Sequence, residues 1–255
     1  MSLHEPYAYE CGDTDTIIIF IHGFIGSPHS FRYLAEAVRE AGYAYSAILL
    51  PGHGKNALHF AASNLVKWES HLQAEIEKYR TRYKNIILVG HSMGGLLGLN
   101  AVLDPANPIC AAILIASPLF VKPAPRAVLN SLRAHLIRLG GENDRIRSYR
   151  DNCSVRNWSI ISYPLWIRPL ASLRRLMRSV KRNMKDCKLP VLLIYSRRDE
   201  LVRMRSAGRF VSGLQGETRL VELTESWHMY YTPAERQIIE REIVSFVRGT
   251  EKHEC

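Results

Sequence analysis

The sequence lacks any apolar run long enough to span a bilayer, and no secretory apolar region stands near its start. Those two absences predict a chain with no stable membrane insertion and no export signal. It also lacks a C-x-x-C pair. Its five cysteines (Cys11, Cys110, Cys153, Cys187, Cys255) are scattered and odd in number, which predicts free thiols in a reducing, cytoplasmic setting, not a disulfide framework or a zinc site. Ten histidines are present without an H-E-x-x-H or comparable ligand spacing, so no metal is expected. The net charge is +10, but no nucleic-acid motif accompanies it and no nucleic-acid partner is expected.

What is present is ordinary globular composition, 47% hydrophobic and 23% charged over 255 residues, enough for one α/β domain with an insertion. Six runs have strand length, the first five of them largely apolar: Thr16-Ile17-Ile18-Ile19-Phe20-Ile21, 43–50, Ile86-Ile87-Leu88-Val89, 111–116, 191–196 and 218–223. The longest do not alternate with polar residues, which predicts strands covered on both faces, as in a parallel sheet. Helical stripes fall between them. Phe31, Leu34 and Val38 form one, with Ser27 and Pro28 suited to its N-cap and first position and Gly42 to its end. Leu65, Trp68, Leu72, Ile76 and Tyr79 form another, and Thr232-Pro233-Ala234-Glu235 opens the last with a capping-box pattern. Strands alternating with helices predict an α/β fold, a mainly parallel sheet of six to seven strands flanked by helices.

One interval breaks the rhythm. Between residues 118 and 188 there are helical patches, prolines and aromatics but no buried-type strand, which predicts a helical cap inserted into a core made of 1–117 and 189–255. Residues 119–188 carry sixteen Lys/Arg against four Asp/Glu, and the rest of the chain eighteen against twenty. All the excess positive charge therefore sits in the cap. Within it, Leu170, Leu173, Leu176, Met177, Val180 and Met184 recur at helical spacing among Arg174, Arg175, Arg178, Lys181, Arg182 and Lys185. Such a helix can touch an anionic lipid surface or steer anionic substrates, or it can dock its apolar side on the core and leave the cations solvated.

The chemistry centres on Gly90-His91-Ser92-Met93-Gly94, a G-x-S-x-G pattern between an apolar run and an apolar helix. That context marks a nucleophile elbow, a sharp turn that lifts a serine hydroxyl above the sheet beside a helix N-terminus. A serine needs an imidazole to take its proton, and the imidazole a carboxylate to fix its tautomer, in the chain order Ser, acid, His. Asp199 follows the fifth run and His228 the sixth, so Ser92, Asp199 and His228 all fall at C-terminal strand ends, with Glu200 the rival acid. His91 is read as packing beneath the elbow, and His22 and His53 as bracing glycine-rich loops. An oxyanion would find the backbone N–H of Met93 and one from the loop after the first run, assigned to Phe24, where Gly23 permits close approach.

Together, His22-Gly23-Phe24, Pro51-Gly52-His53-Gly54, Gly90-His91-Ser92-Met93-Gly94-Gly95, Asp199-Glu200-Leu201-Val202 and Ser226-Trp227-His228 resemble the α/β-hydrolase superfamily. Within it they look most like small bacterial carboxylesterases related to monoacylglycerol lipases. The resemblance implies an α/β-hydrolase fold, Ser92 as nucleophile, Asp199 as acid, His228 as base, Phe24 and Met93 as oxyanion donors, and hydrolysis of a small-molecule carboxylic ester through an acyl-enzyme without a cofactor. One departure is visible: fuller members open with two extra strands, whereas about fifteen residues precede Thr16 and hold at most one short strand at roughly 3.3 Å per residue. The expected substrates are short- to medium-chain acyl esters, monoacylglycerols among them, with Trp158, Tyr163 and Trp166 lining an acyl pocket or holding the cap to the core. The same residue triad also serves thioester, C–C and peracid-forming chemistry, and a hydrolase fold can be kept for binding alone.

Overall fold

The computed structural model describes residues 3–121, 144–155 and 164–251. Its strands are β1 (Tyr7–Tyr9), β2 (Thr16–Ile21), β3 (Ala44–Ile48), β4 (Asn85–His91), β5 (Ile109–Ile115), β6 (Val191–Ser196) and β7 (Thr218–Leu223). They form one sheet in the order β1-β3-β2-β4-β5-β6-β7. β1 runs antiparallel to β3, and every other pairing is parallel. This is the α/β-hydrolase fold. The six runs form β2 to β7, and the short lead-in supplies one three-residue strand.

The non-alternating runs have a physical cause. Helices α1 (Arg32–Glu40) and α8 (Pro233–Thr250) cover one face of the sheet, while α3 (Leu65–Arg80), α4 (Met93–Val102) and α6 (Ile167–Asn183) cover the other. Ile17, Ile19 and Ile21 of β2 enter the second layer, and Ile18 and Phe20 enter the first. Each such side chain contributes about 1.5–3 kcal/mol on burial, so both faces of the central strands are anchored. Shorter helices α2 (Ala57–Ala61), α5 (Asp144–Asn152) and α7 (Met204–Val211) complete the described set.

Helix ends follow the sequence with two differences. Gly42, at φ +91°, ends α1 as expected. Before α1, however, a 3-10 turn (Pro28–Phe31) intervenes, and the Ser27 hydroxyl meets His4 Nδ1 at 3.0 Å instead of capping a helix. In that tight turn it is the Ser27 carbonyl that accepts the Ser30 N–H. At α8, Thr232 accepts the Glu235 N–H at 3.3 Å, but Glu235 does not complete the reciprocal bond; its carboxylate turns toward residues 224–226.

In the described part of the insert, α6 packs on α4 and α3, with Leu176, Val180 and then Met184 buried. Ser179 meets Asn100 Oδ1 at 3.1 Å across the same interface. Its apolar side thus docks on the core from Leu173 onward, while Ile167 and Leu170 at its start stay exposed. No helix among the described residues is long and apolar enough to cross a membrane. Cys11, Cys153 and Cys187 are free, but Cys110 is disulfide-bonded, which departs from the expectation of free thiols. Sequence spacing carries no information on which thiols the fold brings together.

Candidate active site

Ser92 sits between β4 and α4 at φ 54°, ψ −117°, a region that side chains rarely occupy. The glycines around it are required by contact. A Cβ on Gly90 would collide with the backbone of Gly94 and Gly95, and one on Gly94 with the Ile21 carbonyl of β2. The turn is held because strand, elbow and helix interlock without room for side chains. Ser92 donates its backbone N–H to the Ile115 carbonyl at 2.8 Å, tying the elbow to the end of β5.

Asp199 and His228 converge on that serine from the ends of β6 and β7. His228 Nε2 lies 3.1 Å from Ser92 Oγ, and His228 Nδ1 lies 2.8 Å from Asp199 Oδ2. The second Asp199 oxygen accepts the N–H groups of Leu201 at 2.8 Å and Val202 at 2.7 Å. A carboxylate so held has only acceptors to offer, so Nδ1 carries the imidazole proton and Nε2 is left to accept from the serine hydroxyl. Both side chains are buried. Burial opposes charge on each, yet the pairing prevails: Asp199 lies below its usual 3.8 and His228 above 6.5. The chain of contacts can move a proton from Ser92 to an imidazole whose cation has a buried carboxylate beside it.

Glu200, the rival acid, faces elsewhere. Its Oε2 accepts the His228 backbone N–H at 3.1 Å, and its Oε1 accepts the Tyr149 hydroxyl at 3.1 Å. Tyr149 belongs to α5, which reaches both sides of the site. Ser148 and Asn152 hydrogen-bond the Met229 carbonyl, and Ser154 donates its hydroxyl to the Gly26 carbonyl and its N–H to that of Ile25. One segment of the insert therefore clamps the His228 loop and the loop after β2. From the other side, the Glu235 carboxylate accepts the N–H groups of Thr224, Glu225 and Ser226, two to four residues before His228. None of these positioning contacts was read from sequence except the position of Glu235 in the capping box, whose side chain the sequence would have sent back to Thr232.

The loop carrying Phe24 passes close to the serine: a Cβ on Gly23 would lie 3.2 Å from Ser92 Cβ. His53 Nε2 meets the Phe24 carbonyl at 2.8 Å, and His22 faces the Gly23 carbonyl at 2.9 Å while accepting the Leu50 N–H at 3.0 Å. These two histidines brace the loop. Met93 opens α4, so its N–H has no acceptor within the helix. His91 lies beneath the elbow, its Nε2 2.9 Å from the His228 carbonyl. Trp166 is buried edge-on against Phe60, ring centroids 5.2 Å apart, and Phe60 packs in turn on Phe24 and Trp68. It thus extends an aromatic cluster that begins at the loop beside Ser92. Trp158 and Tyr163 lie outside the described residues.

Residues 12–235 match the Hydrolase_4 family model, described as serine aminopeptidase, S33. A thermostable monoacylglycerol lipase of Bacillus sp. (strain H-257) is 29% identical over 251 residues, 96% of this chain and 94% of that one. A carboxylesterase of Bacillus subtilis (strain 168) is 21% identical, covering 95% of this chain and 96% of its own. Among solved structures, the monoacylglycerol lipase of Paleococcus ferrophilus superposes with a TM-score of 0.74 at 18% identity, over 96% of this chain and 99% of that one.

Proposed function

Because the chain belongs to the Hydrolase_4 family of α/β-hydrolases, a serine-hydrolase group of esterase and lipase type, we propose that it is a carboxylesterase acting on short- to medium-chain acyl esters, monoacylglycerols among them. Ser92 Oγ attacks the ester carbonyl as His228 Nε2 takes its proton, and Asp199 stabilises the imidazolium. The N–H groups of Phe24 and Met93 receive the oxyanion; losing one such donor typically costs about 2.7–4 kcal/mol of transition-state stabilisation. The alcohol leaves with the proton from His228, forming a Ser92 acyl ester. Water then attacks that ester with His228 again as base, releasing the acid and restoring the serine.

The observation that carries this reading is the buried line of contacts from Ser92 Oγ through His228 to Asp199. The acyl chain is assigned to the aromatic cluster that runs from Phe24 to Trp166. The bond type is the open choice, since the family description names an aminopeptidase whereas the relatives named above are a lipase and an esterase. The deciding experiment is turnover on nitrophenyl esters graded in chain length beside aminoacyl nitroanilides, with a serine-directed phosphonate label. Ester turnover with labelling confined to Ser92 is expected; turnover of the nitroanilides alone would reassign the substrate class.

A further inference from the structure

Helix α6 and its surroundings carry a charge that the fold leaves unanswered. Residues 167–186 hold seven Lys/Arg against one carboxylate, Asp186, and 203–211 hold three Arg against none. Among the described residues, Arg174, Arg178, Lys181, Lys185, Arg205 and Arg209 form no salt bridge, and all six are exposed. They share one surface. On α6 and the 3-10 turn after it, Ile167, Leu170, Arg174, Arg178, Lys181 and Lys185 follow one another in steps of three and four residues. They therefore line one side, away from buried Leu176, Val180 and Met184. Helix α7 joins that side. Lys181 Nζ and the Arg205 guanidinium carbon lie 4.8 and 4.7 Å from the centroid of the Phe120 ring, and Arg209 follows Arg205 by one helical turn.

Like charges gathered in this way repel one another and oppose the compact state, so the face suits an anionic partner. The head of the stripe says which kind. Ile167 is 71% exposed and Leu170 40%. Leu58, 64% exposed, stands on α2, whose Phe60 packs on Trp166 at the start of α6. A nucleic acid would meet the cations and leave Ile167 and Leu170 in water. An anionic bilayer answers both parts of the stripe, with headgroups against the cations and the acyl boundary against the apolar side chains. At 1.5 Å per residue the 17-residue helix offers a footprint roughly 25 Å long, which can lie flat on such a surface.

We propose that the exposed side of α6, with α7 beside it, is a docking surface for an anionic lipid bilayer, on which the chain rests without crossing it. Docking does not depend on the ester reading, so vesicle binding and ester turnover fail separately. The test is co-sedimentation of the full chain with vesicles of equal parts phosphatidylglycerol and phosphatidylcholine, beside vesicles of phosphatidylcholine alone. Binding to the mixed vesicles is expected to be tighter by about tenfold or more and to weaken with added salt. Arg174→Glu with Arg178→Glu should weaken it about tenfold, and Ile167→Ser with Leu170→Ser about fivefold. All four side chains are exposed, so both variants should melt with the parent, and if one pair does not fold the other decides. Equal binding to the two kinds of vesicle, or a mixed-vesicle affinity untouched by either folded pair, would overturn the proposal. A single-stranded oligonucleotide bound more tightly than the mixed vesicles, and indifferent to the serine pair, would assign the face to nucleic acid instead.

Discussion

At the scale of single residues, the serine, histidine and aspartate make sharply different predictions. Ser92→Ala should fold, escape phosphonate labelling and lose turnover by a factor on the order of 10⁶ if the three groups act as a unit; an Ala variant keeping a tenth of the activity would remove the mechanism. Asp199→Asn should cost about 10⁴ by leaving His228 in the wrong tautomer. Glu200→Ala should cost far less, roughly tenfold to a hundredfold, because it strands the His228 backbone N–H and the Tyr149 hydroxyl without touching the imidazole. The reverse ranking of the two acids would move the role to Glu200. The pH profile follows from the same pairing. His228 must be neutral to act as base, and Asp199 holds its pKa above 6.5, so kcat/KM should rise with pH to a midpoint above that value. From sequence alone, the unperturbed 6.5 is the only figure available; the upward shift needs the 2.8 Å contact with Asp199, which no spacing reveals.

At the scale of elements, legibility divides by the range of the interaction. The apolar runs, the elbow glycines, Gly42 and Thr232 act on near neighbours in the chain, and the structure places each in the element expected. Ser27 and Glu235 depart from the local capping their positions predict, because distant partners, His4 and the 224–226 loop, outcompete it. The clamp made by α5 and the residues just after it is invisible for the same reason, since Tyr149 and Ser154 meet partners 51 and 128 residues away. Joining the two loops, α5 should matter for turnover more than for substrate affinity. Tyr149→Phe with Ser154→Ala is expected to lower kcat about tenfold with KM little changed, and steady-state kinetics on one ester checks it. Loss of KM alone would make α5 a binding wall and not a clamp.

At the scale of the whole molecule, buried neutral histidines set the acid limit. Burial pushes His53 down to about 4 and His91 to about 3, and burial with the neighbouring His53 also lowers His22 well below its ordinary value. The unfolded chain takes protons on these rings below about 6.5, whereas the fold refuses them until about 4 or lower, so unfolding binds protons in that window. Stability is therefore complete above 6.5 and falls as pH drops, by about 1.4 kcal/mol per pH unit for each ring. His228 acts oppositely, stabilising below 6.5 and ceasing to as pH rises through its raised pKa, but it is one group against three. Calorimetry should find Tm falling steadily from pH 6.5 to 4.5; a flat Tm would mean these rings are not buried neutral.

The order in which the sheet neighbours occur along the chain has a consequence in time. β5 and β6 lie side by side, yet the whole insert is made between them, and His228 follows Ser92 by 136 residues. A ribosome adding about 5–20 residues per second needs roughly 7–27 s to cover that distance. Throughout that interval the nascent chain carries its serine with no imidazole beside it. On the proposed mechanism the serine gains its base only as the last strand and helix emerge, so an interrupted product of translation would hold an elbow without the imidazole that mechanism requires.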